Sequence, residues 1–176
     1  MTNKKFWLGM LVVALVFGMT VAGCKNNNDD DKESDTWSNV TSLSQVNGTW
    51  KAPSTVTGNY EGMKIIASYS NYKITFTTGA MSVSGTSTTT FSGGNINELW
   101  SELKGKLQES LEDMEEEDSF TLTFNDAKHS YTMTFNNFSQ TLTDEALREM
   151  DLKINQNGTK LNVSGDMGLK IIYTKQ

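Results

Sequence analysis

The sequence predicts a mainly β fold: an antiparallel up-and-down barrel of about 8–9 strands, with one amphipathic helix inserted between strands. Three observations point to it. Apolar and polar residues alternate with period two in segment after segment of the chain beyond residue 45, the pattern of half-buried strands. Threonine occurs 22 times among 176 residues and proline once, a balance that favours pleated, β-branched strands over a helical bundle. Turn residues recur between the alternating segments. Eight or nine strands joined by short turns suit a closed or nearly closed barrel, because closure removes the exposed edges of an open sheet.

Each element has its own warrant. Gly48-Thr49-Trp50 opens the first strand. Met63, Ile65, Ala67 and Tyr69 share one face, Asn71 reads as a tight reversal, and Tyr72, Ile74 and Phe76 share the next. A Ser/Thr-rich strand follows from Ala80 to Phe91. Ile96, Leu99, Trp100, Leu103, Leu107, Leu111 and Met114 then recur at three- and four-residue spacing, which is one stripe of a helix over about 95–115, with Asn95 and Glu98 as its capping pair. That stripe must be covered, so the helix belongs across an open end of the barrel, as a candidate lid, or against its wall. Phe120, Leu122 and Phe124 resume the alternation, Asn125 to Lys128 form a four-residue loop, and Tyr131, Met133 and Phe135 return. A short helix is expected from Asp144 to Glu149. Met150, Leu152 and Ile154 lead into Asn157-Gly158, the signature of a type I′ hairpin, whose central residues both need positive φ. Leu161, Val163, Leu169, Ile171 and Tyr173 complete the series.

Charge and composition exclude several functions. A net charge of -6 and a pI near 4.8 oppose a nucleic-acid groove, which needs clustered cations. One Cys and one His allow neither an intrachain disulfide nor a Cys/His zinc site. A Ser-His-Asp triad would have to use His129, which falls at the edge of a turn and reads as exposed. Glu61 and Asp166 cannot be placed in one cleft, Gly93-Gly94 is a turn signal, and Asp29 to Asp31 lack the spacing of a calcium loop. The expectation is no enzyme, no metal and no cofactor. Between Asn95 and Asp118 nine acids stand against two lysines. Glu115-Glu116-Glu117-Asp118 would oppose the helix dipole and so end the helix. The stretch reads as a solvated acidic face, with docking of a basic protein partner or a divalent cation as its functional alternative.

The N-terminus reads as an address. Residues 1–23 run from Lys4 and Lys5 through the apolar stretch Phe6 to Phe17 to small residues, the order of a secretory signal, and the apolar stretch is too short to span a bilayer as a helix. Val21-Ala22-Gly23-Cys24 resembles the lipobox of bacterial lipoproteins. The resemblance implies cleavage before Cys24, a diacylglyceryl group on its thiol and acylation (palmitate or a similar chain) of the new amine. Two or more chains give stable anchoring where one does not. Lys25, in place of an inner-membrane Asp signal, leans the resemblance toward the outer membrane of the cell envelope. Residues 24–44 then read as the lipidated Cys and a polar tether, with Trp37 docking on the domain or at the membrane interface, and residues 45–176 as the folded domain.

Gly48-Thr49-Trp50, followed by an up-and-down series of strands, is similar to the opening Gly-x-Trp motif of lipocalins. Together with the lipobox it resembles the lipocalin-like domains of envelope lipoproteins, over about Val46 to Lys175. The resemblance implies that Trp50 closes the bottom of the barrel under a C-terminal cation; no Arg is there, and Lys170 or Lys175 would substitute. It also implies a small apolar ligand inside, with Trp50, Tyr69, Phe76, Phe124, Tyr131, Met133 and Phe135 as the binding candidates. The alternative is a non-enzymatic structural or protein-interaction lipoprotein whose interior is filled by its own side chains.

Overall fold

The computed structural model describes residues 36–60, 62–112, 119–164 and 169–176. Cys24, Glu61, Asp166 and the acidic stretch from Glu115 to Asp118 lie outside the described residues.

Ten strands form one antiparallel sheet. They are β1 (Trp37–Asn39), β2 (Gly48–Lys51), β3 (Thr55–Tyr60), β4 (Met63–Thr77), β5 (Ala80–Gly93), β6 (Phe120–Asn125), β7 (Ser130–Thr141), β8 (Leu152–Asn155), β9 (Lys160–Ser164) and β10 (Lys170–Lys175). Three helices accompany them: α1 (Leu43–Val46), α2 (Ile96–Glu112) and α3 (Asp144–Arg148). The strand order is β1-β8-β9-β10-β2-β4-β5-β7-β6, with β3 also on β4. The ladder does not close on itself: β1 and β6 are its ends, so the described strands form an open sheet, and of the expected closed or nearly closed barrel the closure is not formed. Strand β4 explains part of this. Its 15 residues take β3 along the first half and β2 along the second. β10 follows β2 only at Lys175↔Trp50 and Thr174↔Lys51. Beyond that point it stands beside β3 through side chains, with Leu169 packed onto Gly58.

The fold also begins ahead of residue 45. Trp37 pairs with Asn155 in the sheet, Lys170 stands 5.9 Å over its ring, and Val40 is buried. Trp37 therefore docks on the domain.

Asn71 does not reverse the chain. It takes φ 51° inside β4 and forms a bulge between Ser70 and Lys73. An extra residue shifts the two-residue parity by one. Met63, Ile65 and Ala67 before it and Tyr72, Ile74 and Phe76 after it are consequently all buried on one face. Asn137, at φ 58°, does the same for β7, placing Phe138 inside with Tyr131, Met133 and Phe135. Between the two bulges lies Gly85, at φ 103°. A Cβ there would sit 2.3 Å from the Asn71 carbonyl oxygen. The three positions form a crease across β4, β5 and β7, which is how a bulged sheet curls around its own core.

The two ends of the curl carry the helices. At one end α1 and α3 are tied together: the Leu43 N–H donates to Asp144 Oδ1 at 2.7 Å, and Arg148 Nε donates to the Thr41 carbonyl at 3.0 Å. Val46, Leu142 and Leu147 fill this end. Helix α2 lies over the other end, where β5 and β6 finish and β7 begins, and buries Ile96, Trp100, Leu103 and Leu107. These are four of the seven residues of the expected stripe; Leu99 is half-buried, the side chains of Leu111 and Met114 lie outside those described, and α3 matches the expected short helix. The hairpin between β8 and β9 forms without a type I′ turn. Gly158 has positive φ and Asn157 does not. The buried Asn155 organises the loop instead, its Oδ1 accepting from the N–H groups of Thr159 and Lys160 at 2.9 Å each.

Candidate functional site

The inner face of the curled sheet carries the chemistry. Four tyrosines are deeply enclosed there: Tyr69 and Tyr72 from either side of the β4 bulge, Tyr131 from β7 and Tyr173 from β10, while Tyr60, opposite Met63 at the β3–β4 turn, is half-buried at the edge of the same face. Ser87 and Thr89 of β5 are buried between them, Ser87 in register with Tyr69 and Met133, and Thr89 in register with Ala67 and Tyr131. Tyr69 and Tyr72 meet edge to face at 5.3 Å between ring centroids, and Tyr72 meets Phe135 at 5.9 Å. Phe135 touches Phe120 and Phe138 in turn. Tyr173 joins from across β2: its neighbour Thr174 pairs with Lys51, and the Ala52 N–H donates to the Tyr72 carbonyl at 3.0 Å.

The hydroxyls are unequally served. Tyr131 and Thr89 bond each other through their side chains. The hydroxyls of Tyr72 and Tyr173 are buried without a hydrogen-bond partner among the described residues. Burial pushes the ionisation of all four phenols above its ordinary range. The charge of neighbouring phenols adds to this at Tyr69, Tyr72 and Tyr173, while the Thr89 bond opposes it at Tyr131. At neutral pH each therefore keeps its proton and is a donor as well as an acceptor. The buried polar residues described are Ser87, Thr89, Ser130, Asn155 and Asn162, with no charged side chain among them. The arrangement can hydrogen-bond a neutral group. Among the described residues it holds no buried charged side chain, and no three His, Cys, Asp or Glu are grouped to bind a metal.

Of the seven binding candidates, Tyr69, Tyr131, Met133 and Phe135 share this interior. Phe76 is buried on the far side of the bulge, toward α1. Trp50 is fully buried as a closing plug: its indole N–H donates to the Val46 carbonyl at 2.6 Å, and Lys175 stands 5.3 Å over its ring. Phe124 belongs to the seat of α2, 6.1 Å from Trp100. Tyr72, Tyr173, Ser87 and Thr89 were not among the candidates. Tyr72 was hidden by reading Asn71 as a reversal, and the parity shift of an Asn in the left-handed region was the signal available.

A second cluster pins α2. The Trp100 indole N–H and Lys104 Nζ both donate to Asp126 Oδ1, each at 2.7 Å. Asp126 sits in the 3-10 turn between β6 and β7. The hydrogen bond from Lys104, then that from Trp100, hold its carboxyl below the ordinary value. His129 caps this turn at φ 44° with its ring 5.7 Å from Trp100, half-buried rather than exposed. No helix among the described residues is long and apolar enough to cross a membrane. No protein family, curated protein or solved structure matches the chain.

Proposed function

We propose that this chain is a lipid-anchored protein of the cell envelope, lipocalin-like in action: its curled sheet binds a small, largely apolar molecule, without catalysis.

 What supports the reading is the convergence of Tyr69, Tyr72, Tyr131, Met133, Phe135 and Tyr173 on one inner face, closed at one end by the Trp50 plug and at the other by α2. An apolar lining with a few convergent polar groups is the usual make-up of a small-molecule site. Helix α2 acts as the lid over that face, held shut by Asp126. The resemblance of Val21 to Cys24 to a lipobox supports the anchor, and Lys25, in place of an Asp, leans the reading toward the outer membrane.

Two experiments test the two halves separately. Cys24→Ala should leave the domain folded and move it from the membrane to the soluble fraction; a variant that stays with the membrane removes the anchor from the account. Organic extraction of the purified chain, followed by mass spectrometry and by titration with the hydrocarbon probe diphenylhexatriene, tests the interior. A stoichiometric apolar molecule or saturable probe binding supports the site. An empty extract together with no probe binding would leave a filled fold that works through its outer surface, the interaction-protein alternative.

A further inference from the structure

We propose that the Tyr72 and Tyr173 hydroxyls form a subsite for the polar end of a neutral amphipathic molecule, one with an uncharged hydroxyl, carbonyl or ester head and an apolar tail. This rests on the reading of the interior as a binding site and names the chemistry that fills it.

Three observations converge. First, both residues are fully buried, at 1% and 0% exposure, and both hydroxyls lack a partner among the described residues. Native proteins rarely leave such groups unpaired, because a buried hydroxyl without a hydrogen bond gives up its hydration for nothing. The neighbouring Tyr131 hydroxyl, by contrast, is served by Thr89. Second, among the described residues no charged side chain is buried with them. A carboxylate or ammonium head would lose its hydration with no counter-charge to replace it, whereas a neutral head loses little and gains both phenols as donors and acceptors. Third, the rings around Tyr72 continue as an aromatic path through Phe135 to Phe120 and Phe138, which suits an alkyl or aromatic tail.

The test uses the full chain with diphenylhexatriene as reporter and three competitors of equal chain length: 1-decanol, n-decane, and decanoate at pH 8. On the unaltered chain 1-decanol displaces the reporter at least about tenfold more effectively than decanoate. In the Tyr72→Phe/Tyr173→Phe double variant the potency of 1-decanol relative to n-decane falls about tenfold or more, the worth of one or two hydrogen bonds. Three results would overturn the proposal. Unchanged decanol potency in the double variant would mean that the two hydroxyls are satisfied by buried water only. Decanoate competing as well as decanol would mean a charged head is accepted. Failure of the unaltered chain to bind the reporter at all would remove the interior site itself, and with it this subsite.

Discussion

Gly85→Ala tests the crease that makes the sheet curl. Two costs can be separated. Gly85 has φ 103°, a region where an L side chain is strained by about 1–3 kcal/mol. In addition its Cβ would lie 2.3 Å from Asn71 O, 2.5 Å from Asn71 C and 2.6 Å from Tyr72 Cα. These are backbone atoms of a paired strand, so relief requires β4 and β5 to move apart, a forced shift of the kind that costs about 1–3 kcal/mol in packed interiors. Together they amount to about 2–6 kcal/mol, a large share of the roughly 5–15 kcal/mol that holds a typical domain folded. Gly79 provides the control. It too has positive φ, at 83°, but a Cβ there meets nothing within 4 Å, so Gly79→Ala carries the strain without the collision. Urea unfolding followed by tryptophan fluorescence should place Gly85→Ala below Gly79→Ala by about 1–3 kcal/mol. Equal stabilities, within about 0.5 kcal/mol, would refute the argument that the Asn71 bulge packs onto Gly85.

Further outcomes follow from the same geometry. Trp50→Phe leaves the buried Val46 carbonyl without its donor and should cost about 1–3 kcal/mol, read as a lower melting temperature in calorimetry. Tyr72→Phe and Tyr173→Phe each remove a buried, unpartnered hydroxyl and should stabilise the ligand-free chain by about 1–2 kcal/mol; destabilisation of that size in urea unfolding would mean the hydroxyls are already bonded. The carboxyl of Asp126 is held low, first by Lys104 and then by Trp100, so its tie to α2 is fully present above the unfolded carboxyl value of about 4. The tie is lost as pH falls through the lower folded value. The Trp100 signal in near-ultraviolet circular dichroism should therefore change in acid below about pH 4, and Asp126→Ala, which removes the acceptor, should show the released signal already at neutral pH.

Much of the architecture was legible because burial on one face of a strand or helix writes a period into the sequence. The stripe of Ile96, Trp100, Leu103 and Leu107 gave the helix its buried face, and the alternation of Phe120, Leu122 and Phe124 gave β6. What the period cannot carry is a change of parity. Asn71 is equally suited to a reversal or a bulge, because Asn tolerates positive φ in either. Its partner across the sheet decided between them: Gly85 leaves room for the bulge. The same limit hid closure. Ten strands with short turns fit a barrel or an open curl, and the difference lies in whether β1 and β6 meet, a long-range pairing that no local pattern records. Asn157-Gly158 marked its hairpin correctly but not its turn, because the Asn155 side chain bonds the loop from inside. The candidate site was half visible. Tyr69, Tyr131, Met133 and Phe135 could be taken from one face, while Tyr72 and Tyr173 needed the bulge and the β10–β2 pairing to bring them together.

The most direct test of the central claim is a tyrosine-resolved titration. The chain has five tyrosines, so ring-labelled tyrosine gives a countable spectrum by nuclear magnetic resonance, with each signal assigned by single Phe substitution. Addition of 1-decanol should shift Tyr69, Tyr72, Tyr131 and Tyr173 together, saturating at one equivalent. Binding of decanol that moves none of these four would contradict an interior site.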